Sequence, residues 1–376
     1  MSKYDHIRPY HDSEVNHALS KLSTHPMVKS MLKFIYPQAS DAYIKERLAN
    51  CTSIRDFQTK IIARGIQNVL SRSSHGLTTS GFEKLEKDTA YFYISNHRDI
   101  LLDTCLINIS LFNHDLVMTA SAIGDNLVQK SFLLELAKLN RNFLVQRGLG
   151  PREMLKSSKL MSEYIAKNLL EDTRSVWIAQ REGRTKDGND VTQQGVLKMI
   201  ALGKGDLSVF DYFKKIKIVP VSISYEYDPT DMYKMPELLA NHYEEEYIKS
   251  TNEDFNSILK GLTGQKKRIH IHAGNVLNLE LDEISNSKEP LNKQFQQLAL
   301  KIDECIHSDY KLWPTNYVAY DMLHNTEKYS KKYTEKEQRQ FERRVECRID
   351  ASDSVALSNF LAMYANPVIN KEKLND

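Results

Sequence analysis

The chain has 376 residues, 41% of them hydrophobic and 27% charged, with a formal net charge of +2. That length fits one large domain with additions or two domains, and the balance is that of a globular protein, not a disordered one. A net charge so close to zero provides no broad polyanion footprint, so no nucleic-acid partner is expected.

At the amino terminus, Met1-Ser2-Lys3-Tyr4-Asp5-His6 contains no apolar signal-peptide core. Residues 1–80 read as a helical subdomain without a strand. Leu19, Leu22, Met27, Met31, Leu32, Ile35 and Tyr36 follow a helical spacing broken by Pro26 and Pro37. A helix is expected over 42–48 and a longer one over 54–70, with Phe57, Ile61, Ile62 and Ile66 on one face. Residues 71–76 read as a loop, and the whole segment as a packing cap.

From about residue 81 short apolar runs alternate with helical stretches. Strands are expected at 91–95, 116–120, 142–146, 175–179, 216–224 and 268–273, with helices at 127–139, 151–170 and 192–202. Such alternation predicts an α/β core over 81–290, a central mostly parallel sheet flanked by helices. Residues 231–249 read as a solvated helical insertion. Residues 291–376 are expected to be a helical C-terminal region, with an apolar face over 293–307. Within it, 325–350 carries eight Lys or Arg and six Asp or Glu, the pattern of a solvated helix.

The four cysteines, Cys51, Cys105, Cys305 and Cys347, are far apart and form no CxxC pair. Reduced thiols in a cytoplasmic protein are expected, with neither a disulfide framework nor a metal site. His270 and His272 share a strand face, but no third ligand is near them in sequence. No window approaches the roughly 18–20 apolar residues of a spanning helix. Any action on lipid is therefore expected peripherally, from the cytoplasmic face of the membrane.

The chemistry concentrates where the strand at 91–95 ends. Asn96-His97-Arg98-Asp99 and Asp103 follow it directly, and then a helical apolar pattern resumes. Strand ends of this kind are where α/β proteins place their sites. His97-Arg98-Asp99 also matches the start of a protein-kinase catalytic loop, but Thr104 stands where that loop needs Asn. No glycine-rich phosphate loop or Asp-Phe-Gly accompanies it. Three further stretches stand at strand ends: Phe143-Leu144-Val145-Gln146-Arg147, then Trp177-Ile178-Ala179-Gln180-Arg181-Glu182-Gly183-Arg184, and the apolar, Pro-interrupted run Ile218-Val219-Pro220-Val221.

Residue chemistry alone supports general-base catalysis. An imidazole with a pKa near about 6.5 can take a proton from an alcohol and pass it to a leaving group. A carboxylate on its other nitrogen fixes the tautomer. There is no G-x-S-x-G nucleophile motif, which favours direct attack by the substrate hydroxyl. Arg98, Arg147 and Arg184 at strand ends suit a phosphate-bearing acceptor.

These four stretches, in this order, resemble the four blocks of the glycerolipid acyltransferases, the glycerol-3-phosphate and 1-acylglycerol-3-phosphate acyltransferases, over roughly residues 81–275. The resemblance implies His97 as catalytic base. It also implies acceptor binding by Arg147, Glu182, Gly183 and Arg184. No cofactor is expected beyond acyl-CoA or acyl carrier protein as co-substrate. The first block departs from the family's pattern, which has Asp five positions after His; that position is Leu102, with Asp103 six and Asp99 two positions after His97. Asp103 or Asp99 orients the imidazole on this reading. A thioesterase using the same His, or a lipid-binding scaffold without turnover, are the rival functions.

Overall fold

Three apolar runs are buried along nearly their whole length in the computed structural model, which describes residues 2–375. They are β2 (Phe92–Ser95), β5 (Ser175–Ala179) and β6 (Ile218–Tyr225), central strands with both faces covered, as their lack of alternation predicts. Around them lie β1 (Ser74–Ser80), β3 (Thr119–Gly124), β4 (Asn142–Val145) and β7 (Lys267–Ala273). The sheet order is β1-β7-β6-β2-β5-β3-β4. β6, β2, β5, β3 and β4 are mutually parallel, β7 is antiparallel to β6, and β1 is parallel to β7.

Alternate residues of each strand feed two cores. Phe92, Ile94, Val176 and Ile218 pack with Phe210, Phe213, Leu298 and Ile302 on one face. Tyr93, Trp177, Val219 and Ile271 pack with Leu102, Leu106 and Ile107 of the Leu102–Asn113 helix on the other.

The expected α/β class with helical additions at both ends is what the chain adopts, with three local differences. The loop expected over 71–76 gives way from Ser74 to β1, which runs to Ser80, so the sheet begins inside the segment read as purely helical. β3 starts later and runs further than the apolar stretch 116–120. The 231–249 insertion is not simply solvated. Its Asp231–His242 helix buries Met235 and Leu238 against Phe341, Phe360 and Tyr364 of the C-terminal helices.

Among the N-terminal helices, Pro26 opens Pro26–Ile35 at its first turn, where the missing N–H costs nothing. Ser40 and Ser53 cap the following two helices by accepting from Tyr43 and Asp56 backbone N–H groups. The long predicted helix starts at Ile54 and widens to a π-helix over Phe57–Ala63 before continuing as Arg64–Ser73.

One buried carboxylate makes the packing of the Leu291–Asp309 helix sensitive to pH. Asp303 Oδ1 accepts from the Thr192 backbone N–H at 2.8 Å and from its hydroxyl at 2.5 Å. Burial nevertheless raises its pKa to about 7, against these bonds. The folded state therefore prefers the protonated form, and stability is expected to fall as pH rises from about 4 to about 7. Asp303→Asn keeps an acceptor for Thr192. It is expected to flatten that slope and to raise stability at pH 8 by on the order of 2–4 kcal/mol, measured by urea unfolding at both pH values.

Candidate active site

β2 lies between β5 and β6, so its carboxyl end is flanked by two parallel strand ends. Just past it, the Asn96 side chain donates to the Ile223 carbonyl at 2.9 Å and accepts from the Ile223 N–H at 2.8 Å. This amide fastens β2 to β6 one residue beyond the strand and fixes where the next side chain emerges.

That side chain is His97. Its Nδ1 lies 2.8 Å from Asp103 Oδ2. The same carboxylate oxygen accepts the backbone N–H groups of Arg98 at 2.6 Å and Asp99 at 3.0 Å. Asp103 Oδ1 accepts the Tyr225 hydroxyl at 2.8 Å. The Asp103 side chain is fully buried, while that of His97 keeps 14% of its surface exposed. Helical side chains lean toward their own N-terminus, so a carboxylate in the first turn of Leu102–Asn113 reaches back over the preceding loop. A carboxylate on Nδ1 sets the proton there and leaves Nε2 as the basic nitrogen. The Trp177 ring stands edge-on to the imidazole, 5.5 Å between centroids, and its indole N–H donates to Ser95 Oγ at 2.9 Å.

Asp99 does something else. Its Oδ1 accepts the N–H groups of Leu101 and Leu102 at 3.0 and 2.8 Å, closing the helix start. Its Oδ2 is buried without a partner, and burial, with Asp103 nearby, raises its pKa. A Cβ on Gly261 would stand 2.1 Å from that oxygen, so the Glu253–Thr263 helix packs this closely only because residue 261 has no side chain.

The arginines take three different positions. Arg98 is buried and bonds Asp190 Oδ2 at 2.5 Å beneath the loop, with Tyr310 facing its guanidinium at 5.6 Å. Its fork is thus occupied within the protein. Arg147 and Glu182, from the ends of β4 and β5, pair at 2.5 Å on the surface. Arg184 is 9% exposed and donates to Ser257 Oγ at 2.8 Å, with no carboxylate paired to it among the described residues. Gly183 sits at φ +71°, the left-handed region that favours glycine, and the turn it makes lets Thr185 N–H bond the His97 carbonyl at 3.0 Å. The Glu-Gly-Arg turn is therefore tied directly to the histidine's own backbone.

Beside the loop lies a cavity of about 410 Å³, within the size range of ligand pockets. Ile100, Leu101 and Thr104, which follow His97, form part of its wall. The rest comes largely from the N-terminal helices, with Leu22, Met31, Phe57, Ile61 and Ile66 among the apolar side chains that line it. The N-terminal helices thus form much of the cavity wall.

Tyr225 and Asp190 were not singled out from sequence, Asn96 was named without a role, and the apolar residues of the cavity wall were read only as helix faces. Tyr225 had a usable signal, since it closes β6, the Pro220-containing strand beside β2. Asp190 and the cavity residues had none, because they meet only in the folded chain. His270 and His272 do share a face, and their rings bond the hydroxyls of Thr78 and Ser80 at 2.8 to 3.0 Å. Among the described residues no group of three or more His, Cys, Asp or Glu is placed to hold a metal ion.

A family model described as Acyltransferase matches residues 76–224. No curated protein matches the sequence. Among solved structures, the 1-acyl-sn-glycerophosphate (LPA) acyltransferase PlsC of Thermotoga maritima is similar at 12% identity and a TM-score of 0.37. That match covers 77% of this chain and 95% of the other.

Proposed function

We propose, from the match of residues 76–224 to an acyltransferase family model, that this chain moves a fatty acyl group from acyl-CoA or acyl carrier protein to a hydroxyl of a phosphorylated glycerol or lysophospholipid. The observation that carries this reading is the His97–Asp103 pair set beside an apolar cavity, with an unpaired arginine on the turn bonded to the same loop.

In this mechanism the acceptor hydroxyl binds at His97 Nε2. As its oxygen attacks the thioester carbonyl, the proton passes to the imidazole, whose positive charge Asp103 stabilises. The tetrahedral intermediate then expels the thiolate, which takes that proton back from His97. Ester and thiol are formed, and the histidine returns to its starting state. No cofactor is required beyond the acyl donor.

Arg184 and Arg147 bind the acceptor phosphate, with Glu182 and Gly183 shaping the turn and Arg98 holding the loop through Asp190. The cavity receives the acyl chain. The Pro26–Ile35 helix exposes Met27 and Phe34 next to Lys29 and Lys33, a composition that suits peripheral contact with an anionic membrane surface. No helix of the described residues is long and apolar enough to cross a membrane.

Arg184→Gln is expected to raise the acceptor KM by roughly 10- to 100-fold, the loss of a charge-assisted bond to phosphate, with little change in the donor KM. Steady-state kinetics with both substrates varied will read this. An unchanged acceptor KM removes Arg184 from phosphate recognition.

A further inference from the structure

The cavity wall is mostly apolar, and one pair of its buried polar side chains is not explained by the acyl-transfer reaction. Asn140 ends the Ser131–Leu139 helix, Asn142 begins β4, and both line the cavity. Asn142 is 6% exposed, and its side-chain amide makes no hydrogen bond among the described residues; Oδ1 is fully occluded and unpartnered. Asn140 is 8% exposed, and among the described residues the one hydrogen bond of its side chain runs from Nδ2 to Cys105 Sγ at 3.9 Å. The other buried polar side chain of the wall, Thr104, is satisfied, its hydroxyl donating to the Leu101 carbonyl at 3.0 Å.

Buried amides are nearly always paired, and an orphan in an apolar cavity points to a missing partner. A plain hydrocarbon chain offers none. A hydroxyl does, since it can accept from Asn142 Nδ2 and donate to the unbonded Oδ1 of Asn140.

We propose that this cavity selects an acyl chain bearing a hydroxyl group, recognised by Asn142 with Asn140. The inference rests on the reading of the cavity as the acyl-chain site. It adds a specificity-determining pair that the four sequence blocks do not contain. The hydrocarbon on either side of the hydroxyl packs on Leu, Ile, Met and Phe side chains, and the amides discriminate because they remain unpaired when the chain carries no oxygen.

The test uses displacement of cis-parinaric acid from the full chain by palmitic acid and by its monohydroxy regioisomers, so that no turnover is required. At least one regioisomer is expected to bind about tenfold more tightly than palmitic acid, as one additional buried hydrogen bond allows. In Asn142→Leu, which replaces an orphan amide by an apolar group of similar size, that preference is expected to vanish while palmitic acid binds at least as well. Equal binding of all the acids by the native chain overturns the proposal, and so does a hydroxyl preference that survives in Asn142→Leu. A chain that shows the preference but transfers no acyl group to any acceptor refutes the transferase reading alone.

Discussion

His97→Ala is expected to lower kcat for acyl transfer by roughly 10²–10⁴-fold, the usual contribution of a positioned general base. The imidazole is held on one side only: Nδ1 faces Asp103, and among the described residues no protein hydrogen bond is made by Nε2. A group oriented this thoroughly by a buried carboxylate, itself fixed by two backbone N–H groups and the Tyr225 hydroxyl, has one nitrogen left to act. Asp103→Asn is expected to move the same parameter in the same direction, because an amide that turns its NH2 to Nδ1 favours the wrong tautomer. Donor affinity is expected to stay within about twofold in His97→Ala, since burial of the acyl chain supplies it. Initial rates with radiolabelled acyl donor, alongside equilibrium binding of that donor, will measure both. Full activity in His97→Ala contradicts the assignment of the base.

The second large effect concerns stability. Asp231 accepts from Arg344 Nε and Nη2 at 3.1 and 2.6 Å and from the Tyr364 hydroxyl at 2.9 Å. Arg344 also donates to the Asp228 carbonyl at 3.0 Å and lies 4.2 Å from the Tyr227 ring centroid. Both charged side chains are buried. Three helices meet here, Asp231–His242, Glu335–Glu346 and Ser354–Glu372. Asp231→Ala leaves a buried guanidinium without its counter-charge and is expected to cost about 3–5 kcal/mol in urea unfolding. The exposed pair of Arg339 with Glu335 provides the contrast: Arg339→Ala is expected to change stability by about 0.5 kcal/mol or less. Similar small losses in both variants contradict a locking role for Asp231.

Much of this architecture is legible in the chain because buried parallel strands are continuous apolar runs. β5 lies where the sequence places it, residue for residue, and β2 within one residue. β1 escapes because Ser74–Ser80 carries a single large apolar residue, Leu77. An edge strand pairs through its backbone and need not be hydrophobic, so periodicity does not report it. β3 is displaced for a related reason: Leu116 and Met118 mark where the chain is buried, whereas pairing with β4 continues through Ala122 to Gly124. The choice between Asp103 and Asp99 turns on where the helix begins, a boundary that sequence locates only to within a few residues. With the first turn at Leu102, Asp103 points back at His97 and Asp99 becomes the cap. Arg98, which sequence alone groups with the arginines expected to bind phosphate, is distinguished only by its burial against Asp190. The cavity has no local signal, for it exists only where the N-terminal helices, the Ser131–Leu139 helix and the Glu253–Thr263 helix converge on the residues after His97.

The most direct test of the account is product analysis by mass spectrometry. The native chain is incubated with acyl-CoA or acyl carrier protein and a mixed panel of glycerol-3-phosphate, lysophosphatidic acid and unphosphorylated glycerol acceptors. The acyl mass is expected on a phosphate-bearing acceptor with either donor type or one of them, and this product is expected to disappear in His97→Ala. Free fatty acid released at the same rate with and without the panel would contradict it and would make the chain a thioesterase.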